Sequence, residues 1–362
     1  CHELEYFAIR HAAGVIDVSP LYKYDISGPD AAAYLSRLTV RDLRKLKVGR
    51  VTYLCWCDDE GKVIDDGTVT RLDEGTYRMT AAEPSLSWLH RHRRGYDVEI
   101  RDTSTELAAL AVQGPTSRKI LDGCIDADIA GLRFFGSVHG KLGDIDVVVT
   151  RTGYTGDLGY EVWIPSERAI DAWDMLFEAG APYRIAAMGL DAMDVARIEA
   201  GFVMNGVDYY SAHHCLLESR KSTPYELGLG WTVKLDREPF IGQRALQREK
   251  ERGSSWATVG LVYDWDRYEL LFDRVGLPPQ VPHGAWRTPV PLYDDVGIQV
   301  GYVTSGAWSP TLKQNLAIAS VRSDVAALGT KLDVEVTVEY ERKKCGVTVT
   351  KMPFFNPPRK RD

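Results

Sequence analysis

RTGYTGDLGYEVWI, Arg151 to Ile164, joins a glycine-punctuated loop to an apolar strand. Gly153, Gly156 and Gly159 lie within seven residues, around Tyr154 and Thr155. Three glycines so close together, directly before a strand, imply that backbone approaches something closely. The loop is no P-loop, because the Lys-Ser/Thr end is missing. It is no dinucleotide fingerprint either, because the glycine spacing is wrong and a strand follows instead of a helix. Inside YEVWI stands Glu161. A carboxylate in an apolar strand is costly unless it is paired or hydrogen-bonded. An amino-heterocycle would satisfy it, and so would an arginine, for which Arg197 is the protein candidate.

Working outward, LAALAVQGP followed by TSRKIL reads as strand, Gly114-Pro115, helix. The same form occurs earlier, where VIDVSPLYKYDISGP leads through Gly28-Pro29 into DAAAYLSRL. The spacing is 86 residues, from Gly28 to Gly114. It fits a duplicated α+β unit, or a common turn used twice. VTYLCWC, KVIDDGTVTRL and TYRMTAA read as strands between the copies, SLSWLHRHRR as a helix. Glu3 to Ala13 has helical spacing and reads as a helix entered in mid-course, with residues expected upstream. IAAMGLDAMDVARIEAG is an apolar helical pattern ending at Gly201. After about residue 250 the texture becomes short strands, which suits a small antiparallel barrel or sandwich. The basic tail FFNPPRKRD reads as a solvated terminus.

The 362 residues suggest two or three domains. A formal net charge of -7 gives no global attraction for nucleic acid or anionic membrane. No run of 18 apolar residues appears, so no helical span is expected. Six scattered cysteines, with only Cys55 and Cys57 close together, point to free thiols in a reducing, cytoplasmic setting and to no metal site.

Three groups of residues could carry chemistry. Asp65-Asp66, in GKVIDDGTVTRL, are adjacent on a strand, so only one is expected to face any given cleft. Spacing alone also fits a hairpin edge in water. Tyr209 and Tyr210 follow the helix that carries Arg197, and a phenol there could donate a proton or pack an interface. His213-His214, with Asp208 and Cys215 nearby, could serve a metal only weakly. The nine tryptophans include several that could line a pocket for a flat ring or a methylated cation.

Taken together, VIDVSPLYKYDISGPDA, GKVIDDGTVTRL, RTGYTGDLGYEVWI, GLDAMDVARIEAGF and GYVTSGAWSPTLKQNLAIASV resemble the folate-binding aminomethyltransferase family. That family comprises the glycine cleavage T-protein and its relatives. PYELGLGWTVKL with FIGQRAL adds a sixth segment, and the match spans nearly the whole chain. The resemblance implies an α+β, three-domain cloverleaf with a C-terminal antiparallel barrel. It implies a discontinuous first domain over 1–20 and 104–205, a second over 21–103 and 206–250, a barrel over 251–350 and a tail over 351–362. It implies tetrahydrofolate as cofactor, held by Glu161, Tyr154, Arg197 and Asp65, with Asp65, Tyr209 and Tyr210 as catalytic candidates.

The chain departs from the T-protein pattern at Lys62, at Gly67-Thr68 and through VDYYSAHHCLLESRKSTPYE. On those departures the expectation is a methyltransferase or demethylase, taking methyl from a small O-, S- or N-methyl donor to tetrahydrofolate. The alternatives are an aminomethyltransferase served by a lipoylated carrier protein, and a non-catalytic folate-binding regulatory or repair protein.

Overall fold

Residues 1–362 are described by a computed structural model. The first sheet has five strands in the spatial order Arg50–Cys57, Val63–Arg71, Thr76–Ala81, Tyr22–Ser27, Glu99–Asp102. The second has seven, ordered Ile185–Ala187, Ala13–Asp17, Leu107–Gln113, Gly159–Pro165, Ile145–Thr150, Ser137–Leu142, Ile125–Asp126. Every pairing is antiparallel except that of Ala13–Asp17 with Ile185–Ala187.

The duplication is real, and it goes beyond a shared turn. Tyr22–Ser27 and Leu107–Gln113 each run through Gly-Pro into a short helix, Ala31–Leu38 or Ser117–Cys124. Gly28 and Gly114 take φ of +126° and +132°, and a Cβ on either would sit 2.5 Å from a neighbouring carbonyl oxygen. Only glycine fits that backbone without strain. Each repeat then adds three strands in the same spatial order, and the second adds the two-residue strand Ile125–Asp126 as well. The strand preceding each repeat pairs with the other repeat: Ala13–Asp17 with Leu107–Gln113, and Glu99–Asp102 with Tyr22–Ser27. The two repeats therefore exchange their first strands.

From Trp256 to Thr350 six strands close into a barrel, in the order Trp256–Tyr263, Gln314–Arg322, Gln299–Ser309, Val290–Tyr293, Lys331–Val338, Glu341–Thr350. Closure excludes the sandwich and leaves no free sheet edge. The helix Leu190–Glu199 carries Val195 and Ile198 into a core shared with Tyr6 and Ile9 of the first helix and with Leu316 and Ile318 of the barrel. Burying each of these side chains contributes about 1.5–3 kcal/mol. That core fixes the helix, and with it Arg197, between sheet and barrel.

Strand alternation sorts Arg50–Cys57 as its sequence demands. Cys55 and Cys57 enter one core with Val63 and Leu246, while Trp56 enters another with Tyr24 and Trp88. The tail differs from expectation, because it docks. Arg359 donates to both oxygens of the buried Asp157, at 2.6 and 2.8 Å. The Lys360 ammonium lies 4.7 Å from the ring centre of Phe202. Asp157 also has Arg10 at 3.4 Å. A carboxylate with no exposed side-chain surface needs such partners, and the basic tail supplies one. No helix is long and apolar enough to cross a membrane.

Candidate active site

Val63–Arg71 pairs with Arg50–Cys57 along its length, with a bulge between Trp56 and Cys57. It pairs with Thr76–Ala81 only from Val69 onward. Before Val69 the two strands part, and the Asp65 carboxylate fills the gap. Its Oδ2 accepts from the backbone N–H of Ala82 and of Glu83, both at 2.9 Å. Its Oδ1 accepts from the Asp66 N–H at 2.9 Å and from Asn205 Nδ2 at 2.9 Å. Asp65 is completely buried.

Asp66 does not face away from this group. Its Oδ2 accepts from the Tyr53 hydroxyl at 2.7 Å, and its Oδ1 accepts from the Tyr209 hydroxyl. That same Tyr209 oxygen lies 3.5 Å from Asp65 Oδ1. The two side chains leave opposite faces of the strand, Asp65 beside Trp56 and Asp66 beside Cys55. Their carboxylates still meet, because Asp65 curls along its own backbone onto the Asp66 N–H and the Tyr209 hydroxyl reaches both. The Gly67-Thr68 departure also has a local role. A Cβ on Gly67 would sit 2.1 Å from the Thr80 carbonyl oxygen, and Thr80 Oγ1 accepts the Thr68 N–H at 3.0 Å.

Electrostatics make the pair unusual. Burial, then the neighbouring Asp66 charge, push Asp65 up to about 7, against the N–H donors that favour its ionised form. Burial also raises Asp66, against the two phenols that donate to it. Burial and both carboxylates hold the Tyr209 phenol well above its ordinary range, so it stays a donor. Two like charges so close titrate as a pair, and near neutral pH that pair can hold or release a proton.

On the second sheet, Glu161 Oε2 accepts from the Thr152 hydroxyl at 2.7 Å and the Thr150 hydroxyl at 3.4 Å. Oε1 has no partner within the protein, and burial raises this carboxyl too. Arg197 is not its counter-ion. It is fully buried and donates to Asp194 at 2.6 Å, to Asp208 at 2.5 Å and to the Phe202 carbonyl at 3.1 Å. Its Nη2 has no partner. Asp208 is further held by the hydroxyls of Thr304 and Ser305 from the barrel, and Asp194 by Arg287 Nε at 2.7 Å. Tyr154 donates to the Val203 carbonyl at 2.5 Å and stacks on Phe202 with ring centres 5.5 Å apart. After burial, the charges acting on its phenol are those of Arg197 and Asp66, then Asp208 and Asp194.

The glycine loop proves to approach protein. A Cβ on Gly153 or Gly159 would lie 2.0 or 2.2 Å from the Gln113 amide oxygen. That amide donates to the carbonyls of Thr152 and Tyr160 and accepts from Thr155. The glycines thus admit the side chain that ties the loop to the strand bearing Glu161.

The structure joins Asp65 to Tyr209, but it does not join Tyr210 to either carboxylate. Tyr210 instead lines an adjoining cavity of about 250 Å³ with His214, Cys215 and two residues that donate to Asp65, Asn205 and Glu83. His214 stands 3.9 Å from Glu83 there, and the histidine–cysteine stretch forms no metal-binding group. Two site residues carried no role in the sequence reading, Tyr53 and Asn205, while Asp66 was expected to face away from the site. Asn205 sits just before Gly206, whose φ of +79° turns the loop back toward Tyr209. That Asn-Gly pair was the available signal.

The chain matches the family model described as the GCVT N-terminal domain over residues 1–237, and that of the glycine cleavage T-protein C-terminal barrel domain over 274–356. An aminomethyltransferase of Geobacillus kaustophilus is 34% identical over 357 residues, covering 97% of this chain and 89% of its own. One from Halothermothrix orenii is 35% identical over 355 residues, covering 97% and 90%. The crystal structure of the glycine cleavage system aminomethyltransferase T from Bartonella henselae superposes with a TM-score of 0.82 at 25% identity, covering 98% and 90%. These matches overturn the expectation of a free small-molecule methyl donor. The similar proteins are aminomethyltransferases, and they match through the segments whose departures had suggested otherwise.

Proposed function

This chain belongs to the glycine cleavage T-protein family of one-carbon transfer proteins, and from that premise we propose that it is an aminomethyltransferase using tetrahydrofolate. Its donor is an aminomethyl group delivered on a lipoylated carrier protein. The observation that carries this reading is the pairing of two carboxylate sites: the buried Asp65–Tyr209–Asp66 network, and Glu161 with one oxygen unclaimed by protein.

The residues present fit a folate. The free Oε1 of Glu161 is the acceptor that an aminopterin's N–H edge requires. Tyr154 and Phe202 supply aromatic surface, and the unpartnered Nη2 of Arg197 supplies a donor. Tetrahydrofolate, when bound, supplies the amine nitrogen that takes up the carbon.

The protein's own share is positioning and charge. Glu161 binds and orients the ring, which lowers the entropic cost of bringing the reactants together. Asp65, fixed by four N–H donors, presents preorganised negative charge where a cation develops. Tyr209 holds a proton between Asp65 and Asp66, so the network can take up or give back a proton at Oδ1 near neutral pH.

The test is product analysis by mass spectrometry, after incubation with tetrahydrofolate and an aminomethylated lipoyl carrier. The expected products are methylenetetrahydrofolate and ammonia, formed only with the carrier present. Formation of 5-methyltetrahydrofolate, or no transfer from the carrier, overturns the proposal.

A further inference from the structure

At one mouth of the C-terminal barrel lies a cavity of about 510 Å³, a volume typical of small-molecule sites. Tyr263, Tyr268 and Trp286 form aromatic parts of its wall, and Asn315, Glu335 and Arg342 are its polar members. It shares no lining residue with the Asp65 network or with Glu161.

Asn315 is 6% exposed, and neither its Nδ2 nor its Oδ1 has a hydrogen-bond partner. It is the only side chain of the protein with two buried polar atoms left unsatisfied. Leaving such a group unpaired is destabilising, so an apolar residue would serve the barrel better. Its same-face neighbour in the strand, Ala317, lies in the apolar barrel core. The Trp286 indole lies against the barrel backbone: a Cβ on Gly306 would meet it at 2.4 Å. Glu335 is anchored by the Tyr293 hydroxyl at 2.7 Å and stands 4.0 Å from Arg342, which makes a charged rim.

We propose that this cavity is a second binding site, for a planar heterocycle that carries a hydrogen-bond donor and acceptor on one edge. A carboxamide offers the complementary donor and acceptor, and aromatic walls stack on a flat ring. A purine base and a pterin share this chemistry. The site is also wired to the active site. Arg287, next to Trp286, holds Asp194, and Asp194 holds Arg197.

Isothermal titration calorimetry on the full chain tests the proposal, with guanosine and 6-methylpterin as separate probes. In E161Q, which removes the Glu161 site from the titration, at least one probe should bind one-to-one, and at least tenfold more weakly when N315L is added to it. Guanosine binding alone assigns a purine, and 6-methylpterin binding alone assigns a pterin. N315L should melt no lower than the parent, because it removes an unpaired amide. If N315L does not fold, W286A is read in its place with the same expected loss. The proposal is overturned if neither probe binds the parent at millimolar concentration. It is also overturned if binding to E161Q survives the added barrel substitution, or if binding is lost in E161Q, which would put the probe in the active site.

Discussion

Asp65 and Asp66 are one residue apart in sequence and share one phenol, yet their surroundings differ. Asp65 is ringed by N–H donors and Asp66 by two hydroxyls. Asp65 is pushed up to about 7, first by burial and then by Asp66. If its ionised form is the active one, kcat/KM rises with pH through an inflection near that value, since a raised carboxyl stays protonated below it. Replacing Asp66 by Asn removes a like charge, so the inflection should move to lower pH. A pH–rate profile of D66N with the parent's inflection would contradict this. Asn205→Ala removes one of the four N–H donors, which favours protonation of Asp65. Its inflection should move upward, and the rate at pH 7 should fall several-fold. The sequence made Asp65 legible through its motif but hid Asp66. Strand alternation tells which face a side chain leaves, and gives no sign that Tyr209, from a distant loop, reaches both carboxylates.

At the scale of elements, the Arg151–Ile164 loop shows how a correct signal can be read toward the wrong neighbour. Close-spaced glycines announce close approach, but not of what. Here it is the Gln113 amide, supplied by the adjacent strand. Gly153→Ala forces a methyl into a filled space, and such overpacking costs about 1–3 kcal/mol. Urea denaturation should show a midpoint lowered accordingly at unchanged slope. An unchanged midpoint would mean the loop moves aside freely. The helix Leu190–Glu199 was legible from its apolar period. Its role was less so, because the carboxylates that hold Arg197 are themselves held from far along the chain, Asp194 by Arg287 and Asp208 by Thr304.

Over the whole molecule, local pattern carried far. The Gly28 and Gly114 turns revealed a duplication, and the switch to short strands marked the barrel. The exchange of first strands between repeats was not visible, because pairing between residues so distant in sequence, such as Gly14 with Gln113 and Tyr24 with Asp102, leaves no local trace. The docked tail was missed for a related reason: a basic terminus looks solvated until a buried acid such as Asp157 is placed beside it. Arg359→Ala leaves Asp157 with Arg10 at 3.4 Å as its remaining ion-pair partner. A stability loss of about 1–3 kcal/mol is expected, read as a lowered urea midpoint at unchanged slope. A stability equal to the parent's would mean that the tail contributes nothing.

The proposed function has Glu161 hold the folate ring with an oxygen the protein leaves free. Calorimetric titration of tetrahydrofolate into the parent and into Glu161→Gln tests it most directly. Losing charge-assisted hydrogen bonds worth about 1.5–3 kcal/mol should weaken binding roughly 10- to 150-fold in E161Q, with the fold intact by circular dichroism. Equal affinity in the two proteins would contradict the account.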